Sequence, residues 1–258
     1  MLLKTILLIL LFAYLIGAGL LYIFQRNLLY FPSPEYQHDL EIIELTNDAA
    51  LINTMVLNPN QSRAIIYFGG NAEPVIFNQD PFSKNFPAHT IYLMNYRGFG
   101  GSTGSPTEQG LFSDALALYD YVQHKHDSIS AFGRSLGSGV ATYLASQRNI
   151  DALALVTPYY SIASVAQKRF PFYPVDLLLY DKFDSQSYAS KVSSKTLIIM
   201  AELDSVIPNW HSIKLRDAFK IEQSKMVKIS GANHNNLSTD PAYFESLKIF
   251  LPQLLKAY

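Results

Sequence analysis

The segment SISAFGRSLGSGVATYLA, Ser128 to Ala145, sets an apolar, β-rich run directly against a run with helical periodicity. A serine joins them, held between Gly133 and Gly137. Glycine in a helix interior costs roughly 0.5–1 kcal/mol relative to alanine, so a glycine-rich helix start needs a geometric reason. A G-x-S-x-G set between strand and helix supplies one. The serine occupies a strained turn that displays its hydroxyl, and glycines on either side remove Cβ atoms that would collide where strand becomes helix. The N–H groups opening the helix then face any negative charge that develops beside that hydroxyl.

The rest of the chain agrees with such a turn. Strand-like runs are expected at Leu40–Leu45, Leu51–Leu57, Ala64–Phe68, Thr90–Tyr96, Ser128–Phe132, Ala152–Thr157, Thr196–Ala201 and Met226–Ile229. Helical periodicity is expected at Thr107–His124, Leu136–Gln147, Trp210–Phe219 and Tyr243–Leu255. Short buried strands alternating with helices indicate a mostly parallel sheet covered on both faces. Residues 158–194 are too many for a plain connection and read as a helical, cap-like insertion over the carboxyl edge of the sheet. That edge is where open α/β sheets place their sites.

The amino terminus is of another kind. From Thr5 to Gln25 no residue is charged, and Lys4 and Arg26 bound the run. As a helix it is about 31 Å long, close to the roughly 30 Å of a bilayer's hydrocarbon. A cleaved signal peptide would have a shorter apolar stretch ending at a small-x-small site, yet Leu20–Phe24 carry the apolar run past Gly17-Ala18-Gly19. Residues 1–26 therefore read as an uncleaved single-pass anchor, and 27–258 as one domain. Lys4 and the amino terminus outweigh Arg26, which puts the N-terminus in the cytoplasm and the body on the other side. Leu29–Pro34 reads as a stiff connector. With 20 basic and 21 acidic residues the chain carries no basic field for nucleic acid, and with no cysteine it has no disulfide, thiolate metal site or cysteine nucleophile.

Reading the loop after each strand gives the candidate chemistry. Ser135 is the expected nucleophile; Ser102, in a second G-x-S-x-G at Gly100–Gly104, lies in a Gly/Ser/Pro-rich loop with no helix behind it. A serine needs a base and an orienting acid. Of six histidines, His234 follows the last strand in ISGANHNNLS, whereas His38, His89, His124, His126 and His211 fall elsewhere. The acid should follow a strand between these two, and TLIIMAELDSVIP offers Glu202 and Asp204. Asp204 lies in the turn itself and is preferred; Asp184 and Asp240 stay open as alternatives, and read first as helix-terminal or surface groups. The order Ser135, Asp204, His234 has a known precedent among strand–turn–helix hydrolases. The backbone N–H groups of Leu136 and Asn71, the latter in Gly69-Gly70-Asn71-Ala72-Glu73, are the expected oxyanion hole.

Together the motifs LLYFPSP, YFGGNAE, NYRGFGGSTGSPTEQGLFSDA, GRSLGSGVA, DSVIP and GANHN resemble the α/β-hydrolase superfamily, and within it the Bem46-like group of membrane-anchored serine hydrolases. The likeness covers nearly the whole chain. It implies an α/β-hydrolase fold and hydrolysis of esters or thioesters through an acyl-enzyme; related eukaryotic members include protein depalmitoylases. One departure is Gly69, where many relatives carry histidine. Arg97 and Asp114 are expected to pair and hold the YRGFGGS loop. Peptidase or amidase action on the same triad is the alternative enzyme reading, and a catalytically silent membrane-tethered binding module the alternative outside enzymes. No cofactor and no metal is expected; the partners expected are a small or lipid-like acyl ester and the membrane. Aromatics crowd the insertion at Tyr159, Tyr160, Phe170, Phe172, Tyr173, Tyr180, Phe183 and Tyr188. They suit an acyl pocket above Ser135 or a cap packing on itself. The site is expected to belong to the sheet, so that a chain without residues 1–26 stays folded and active on small esters.

Overall fold

A computed structural model describes residues 1–220 and 222–253. Strands β1 (Glu41–Asn47), β2 (Ala50–Leu57), β3 (Arg63–Phe68), β4 (Thr90–Met94), β5 (Ser128–Arg134), β6 (Ala152–Val156), β7 (Lys195–Ala201) and β8 (Ser224–Ile229) form one sheet. Its order is β1-β2-β4-β3-β5-β6-β7-β8. The β1–β2 and β2–β4 pairs are antiparallel and the rest parallel, so this is the mostly parallel sheet expected. Strand β3 shows why it is covered twice. Ile66 and Phe68 enter one hydrophobic cluster, while Ile65 and Tyr67 enter another on the opposite face.

One face carries α3 (Glu108–Val122) and α4 (Leu136–Gln147), and the other α2 (Gln79–Asn85) and α9 (Pro241–Gln253). Thr107 caps α3 by accepting the Gly110 N–H at 3.0 Å. Helix α2 has no sequence expectation. Its QDPFSKN segment has weak helical propensity, and tertiary packing holds it: Phe82 is fully buried against Tyr67, Phe86 and Phe132. Strand β5 runs two residues beyond the expected Phe132, because Gly133 and Arg134 still pair with Leu155 and Val156. The expected last helix reaches Leu255; residues 254 and 255 lie outside those described.

Between β6 and β7 the chain forms α5 (Ile162–Arg169), α6 (Val175–Leu178) and α7 (Ser185–Ala189). The amino-terminal helix α1 (Leu2–Leu29) lies against them. Gly17, Leu21, Gln25 and Leu29, four residues apart, make its packing face. At Gly17 the Tyr173 ring approaches so closely that a Cβ there would meet its hydroxyl. One turn earlier Tyr14 stacks on Tyr173 with centroids 4.9 Å apart. Arg26 pairs with Asp181 at 3.0 Å, and Tyr22 bonds to Tyr180 through their hydroxyls. Arg97 and Asp114 pair as expected, through two hydrogen bonds of 2.8 and 2.6 Å, with Asp114 fully buried.

Helix α8 (Trp210–Ala218) turns His211 inward, where the ring is buried, stacks on Trp210 and has no partner for either nitrogen among the described residues. Burial, with Lys168 and Lys214 adding repulsion, pushes its imidazole down to about 4, against a weaker opposing pull from Asp204. His89 is likewise lowered to about 4 by burial and Arg63. Unfolded imidazoles take protons near 6.5, so the unfolded state binds more protons between that pH and about 4. Stability from these histidines is therefore complete above pH 6.5 and declines as pH falls toward 4. Thermal unfolding of detergent-solubilised protein should show Tm dropping across this window, with a shallower drop in His211→Gln. Parallel slopes for the two proteins would show that His211 does not carry the effect.

Candidate active site

Ser135 stands between the end of β5 and the start of α4 with φ 49° and ψ −114°, a backbone region that L-residues enter only when their surroundings enforce it. The surroundings do so by contact. A side chain at Gly133 would strike the carbonyl of Gly137, and one at Gly137 would strike the carbonyls of Phe68 and Gly69. With both side chains absent, α4 starts flush against the end of β3. Ser135 N–H donates to Val156 O at 2.9 Å, and Ser135 O accepts from Ser138 Oγ at 2.6 Å.

This seat brings together the three residues expected from separate loops. Asp204, in the turn after β7, accepts the Val206 and Ile207 N–H groups on Oδ1 at 2.9 and 2.8 Å. Its Oδ2 lies 2.8 Å from His234 Nδ1, and His234 Nε2 lies 3.0 Å from Ser135 Oγ. A carboxylate only accepts, so Nδ1 carries the proton and Nε2 is free to accept from the serine hydroxyl. Both partners of the His234–Asp204 pair are withdrawn from water, their side chains 9 and 1% exposed. The loop holding His234 is shaped by its own asparagines: Asn233 Oδ1 accepts from Asn235 and Asn236, while Asn236 Oδ1 accepts from Asn233.

The competing residues have other work. Ser102 Oγ is buried, accepting from Asn53 N–H and donating to Asn95 O. Glu202 accepts from Gly231 N–H and Ser230 Oγ and sits 3.3 Å from Lys228, which together hold its carboxyl at about 2. It braces the base of the histidine loop without touching His234. Asp240 accepts the Ala242 N–H at the start of α9, and Asp184 precedes α7.

The expected oxyanion donors also lie here. A Cβ built on Gly70 would be 3.6 Å from Ser135 Cβ, which sets the loop after β3 beside the serine. Among the described residues, neither Asn71 N–H nor Leu136 N–H is committed to a protein acceptor. Sequence reasoning missed what aims this loop. Glu73 Oε2 accepts Gly70 N–H at 2.6 Å and pairs with Arg134 at 3.2 Å, while its Oε1 accepts from Tyr67 and Asn78, each at 2.7 Å. Arg134 in turn donates to His234 O at 3.1 Å. Burial and the Glu73 carboxylate push the Tyr67 phenol well above its ordinary value, so it remains a donor. The signal available was a charged residue in each apolar motif, Glu73 in YFGGNAE and Arg134 in GRSLG. The Asn71 side chain was also unforeseen: it donates to Leu29 O at 2.6 Å and accepts Phe31 N–H at 2.9 Å, tying the loop to the end of α1.

A cleft of about 630 Å³ opens above Ser135. Asn71, Leu136 and Tyr159 line its floor, Ile162 to Phe170 one side, Ser205–Pro208 another, and Leu28, Leu29 and Phe31 a third. The expectation that the site belongs to the sheet alone is corrected here, because the end of α1, at Leu28 and Leu29, is one of its walls. Of the insertion aromatics, Tyr159 and Phe170 reach this cleft, whereas Phe183 is core and Phe172 is turned outward.

No protein-family model matches the chain. An uncharacterised protein of Mycobacterium tuberculosis is 36% identical over 151 residues, 57% of this chain. The matched part spans about half, 53%, of that relative. An uncharacterised protein of Acanthamoeba polyphaga mimivirus is 31% identical over 240 residues, covering 83% of this chain and 81% of its own. Protein bem46 of Schizosaccharomyces pombe is 26% identical over 268 residues, 93% of this chain and 89% of its own. In fold, the chain resembles the solved structure of the Pyrococcus furiosus esterase Pf2001, with a TM-score of 0.70 at 15% identity over 88% of this chain and 99% of that one.

Glu73 touches none of the three residues around Ser135 Oγ, so its substitution tests positioning. Glu73→Gln keeps the shape but loosens Gly70 and releases Arg134. The reaction of Ser135 with a fluorophosphonate should slow by about tenfold or more, while Tyr67→Phe, which leaves the Gly70 bond intact, should slow it less. Equal effects would reduce Glu73 to a packing role.

Proposed function

Because the chain belongs to the Bem46-like group of the α/β-hydrolase superfamily, we propose that it is a membrane-anchored serine hydrolase cleaving carboxylic ester or thioester bonds. The observation that carries this reading is the relay Ser135 Oγ–His234 Nε2, His234 Nδ1–Asp204 Oδ2, at 3.0 and 2.8 Å. Ser135 Oγ attacks the acyl carbon as its proton passes to His234 Nε2. Asp204 stabilises the imidazolium and keeps its orientation. The carbonyl oxygen, now an oxyanion, takes the uncommitted N–H groups of Leu136 and Asn71. His234 then gives its proton to the departing alkoxide or thiolate, leaving an acyl-serine. Water, deprotonated by the same nitrogen, attacks this ester and returns the acid and free serine.

In this reading residues 1–26 are the anchor, 27–258 the hydrolase domain and 158–194 its cap. Helix α1 is long and apolar enough to cross a bilayer. Lys4 lies on its cytoplasmic side, and Arg26, engaged by Asp181, on the side of the catalytic domain.

Full-length protein should be labelled by a fluorophosphonate at Ser135, and Ser135→Ala should lose both labelling and ester hydrolysis while keeping its melting behaviour. Asp204→Asn should lower turnover by roughly 10²–10⁴-fold, and Glu202→Gln much less. A fully labelled Ser135→Ala protein would overturn the assignment. A folded wild type that no fluorophosphonate labels would point instead to a silent binding module.

A further inference from the structure

The cleft above Ser135 does not end over the sheet. It adjoins a smaller groove between α1 and the insertion, the two sharing Leu28, Leu29, Ile162, Ala166 and Phe170 in their walls. Leu21 and Gln25 of α1 wall the groove on one side, and Tyr173, Val175 and Leu178 on the other. Its lining is almost wholly apolar. Gln25 is no exception: its amide donates to Tyr22 O and Leu178 O and accepts Tyr180 N–H, so its polar atoms are spent within the wall.

The far end of this groove lies beside the uncharged run of α1. Tyr14 hydrogen-bonds to Phe172 O at 3.0 Å and stacks on Tyr173, so the tip of the insertion rests beside the middle of the uncharged run of α1. Along the helix axis that is roughly 18 Å from Arg26. A bilayer that takes up the uncharged run therefore also takes up this tip, whose Phe172 and Leu177 are 84 and 83% exposed. Lys168 and Arg169 stand at the rim of the cleft, a place suited to headgroup phosphates. A peptide seated in the groove would bring backbone N–H and C=O groups that its walls do not satisfy. A hydrocarbon chain brings none.

We infer that the groove between α1 and α5–α6 binds the acyl chain of a membrane-resident ester or thioester, which enters sideways from the bilayer and reaches Ser135 without crossing water. Helix α1 is then a wall of the substrate site as well as the anchor. This rests on the serine-hydrolase reading and adds to it the class of substrate and the route. The bond between Asn71 and the end of α1 gives the wall a fixed position relative to the oxyanion loop.

The test uses full-length protein in phosphatidylcholine vesicles with two probes, dodecyl and ethyl fluorophosphonate. The wild type should react with the dodecyl probe about tenfold faster or more. Ala166→Phe narrows the junction between cleft and groove, and Leu21→Trp narrows the groove further along; each should lower the dodecyl-to-ethyl ratio by about tenfold. A ratio unchanged in both variants would overturn the proposal. A terminally diazirine-tagged dodecanoic acid gives a readout independent of serine chemistry. It should crosslink to Leu21, Ala166 or Leu178, and crosslinks confined to the outward residues of α1, such as Ile9 and Phe12, would overturn the groove even in a protein that hydrolyses esters. Groove crosslinks in a protein that no phosphonate labels would sustain the acyl site and remove the hydrolase reading.

Discussion

The contact of α4 with the end of β3 is the constraint on which the site depends. Gly137 leaves no side chain between the helix and the carbonyls of Phe68 and Gly69, and the helix can therefore begin at the edge of the sheet, not beyond it. Ser135 is forced to φ 49° by the same approach. The strain is local, of order 1–3 kcal/mol, and β5 supplies the anchorage against it: Gly133 and Arg134 remain paired with β6 up to the residue before the serine. A displayed hydroxyl and two free N–H groups follow from one steric fit.

Charge buried beneath that fit orients it. Glu73, in the loop after β3, and Arg134, at the end of β5, would each be costly alone in so water-poor a place. Paired at 3.2 Å and satisfied by Tyr67, Asn78, Gly70 and His234 O, they form one network beneath the loops of the site. The oxyanion loop, the elbow and the histidine loop are thereby referred to a single pair of charges. The loop after β3 takes its hold from Glu73, which accepts Gly70 N–H, and from Tyr96, which donates to Gly69 O at 2.7 Å.

Helix α1 and the body of the domain share surfaces. Tyr14, Gly17, Gln25 and Arg26 all meet the insertion, and Leu29 and Phe31 bind the Asn71 side chain. A helix that held the domain only by a tether would need none of these. Through Asn71 these contacts also tie the loop after β3, next to Ser135, to the seat of α1. The Gly17-Ala18-Gly19 segment, which resembles a cleavage site when read alone, gives Tyr173 room to lie against the helix.

The sequence by itself determined the parts whose causes are local. Alternating buried runs and helical periods specify the parallel sheet, glycines flanking Ser135 specify the elbow, and the position of Asp204 and His234 after successive strands names the residues that the fold then brings within 3.0 Å. Helix α2 was not legible, because its propensity is weak and Phe82 finds most of its ring partners at a distance in sequence, on β3, β5 and α9. Glu73 and Arg134 were visible as residues but not as a pair, since no pattern in one dimension says which buried charges will meet. The role of α1 was hidden for the same reason. Hydropathy reports how well a helix dissolves in lipid, and it says nothing of which face a distant loop will cover. That Gly17, Leu21 and Gln25 look toward the insertion, and that a groove beside Leu21 and Gln25 adjoins the cleft above Ser135, was decided only by tertiary packing.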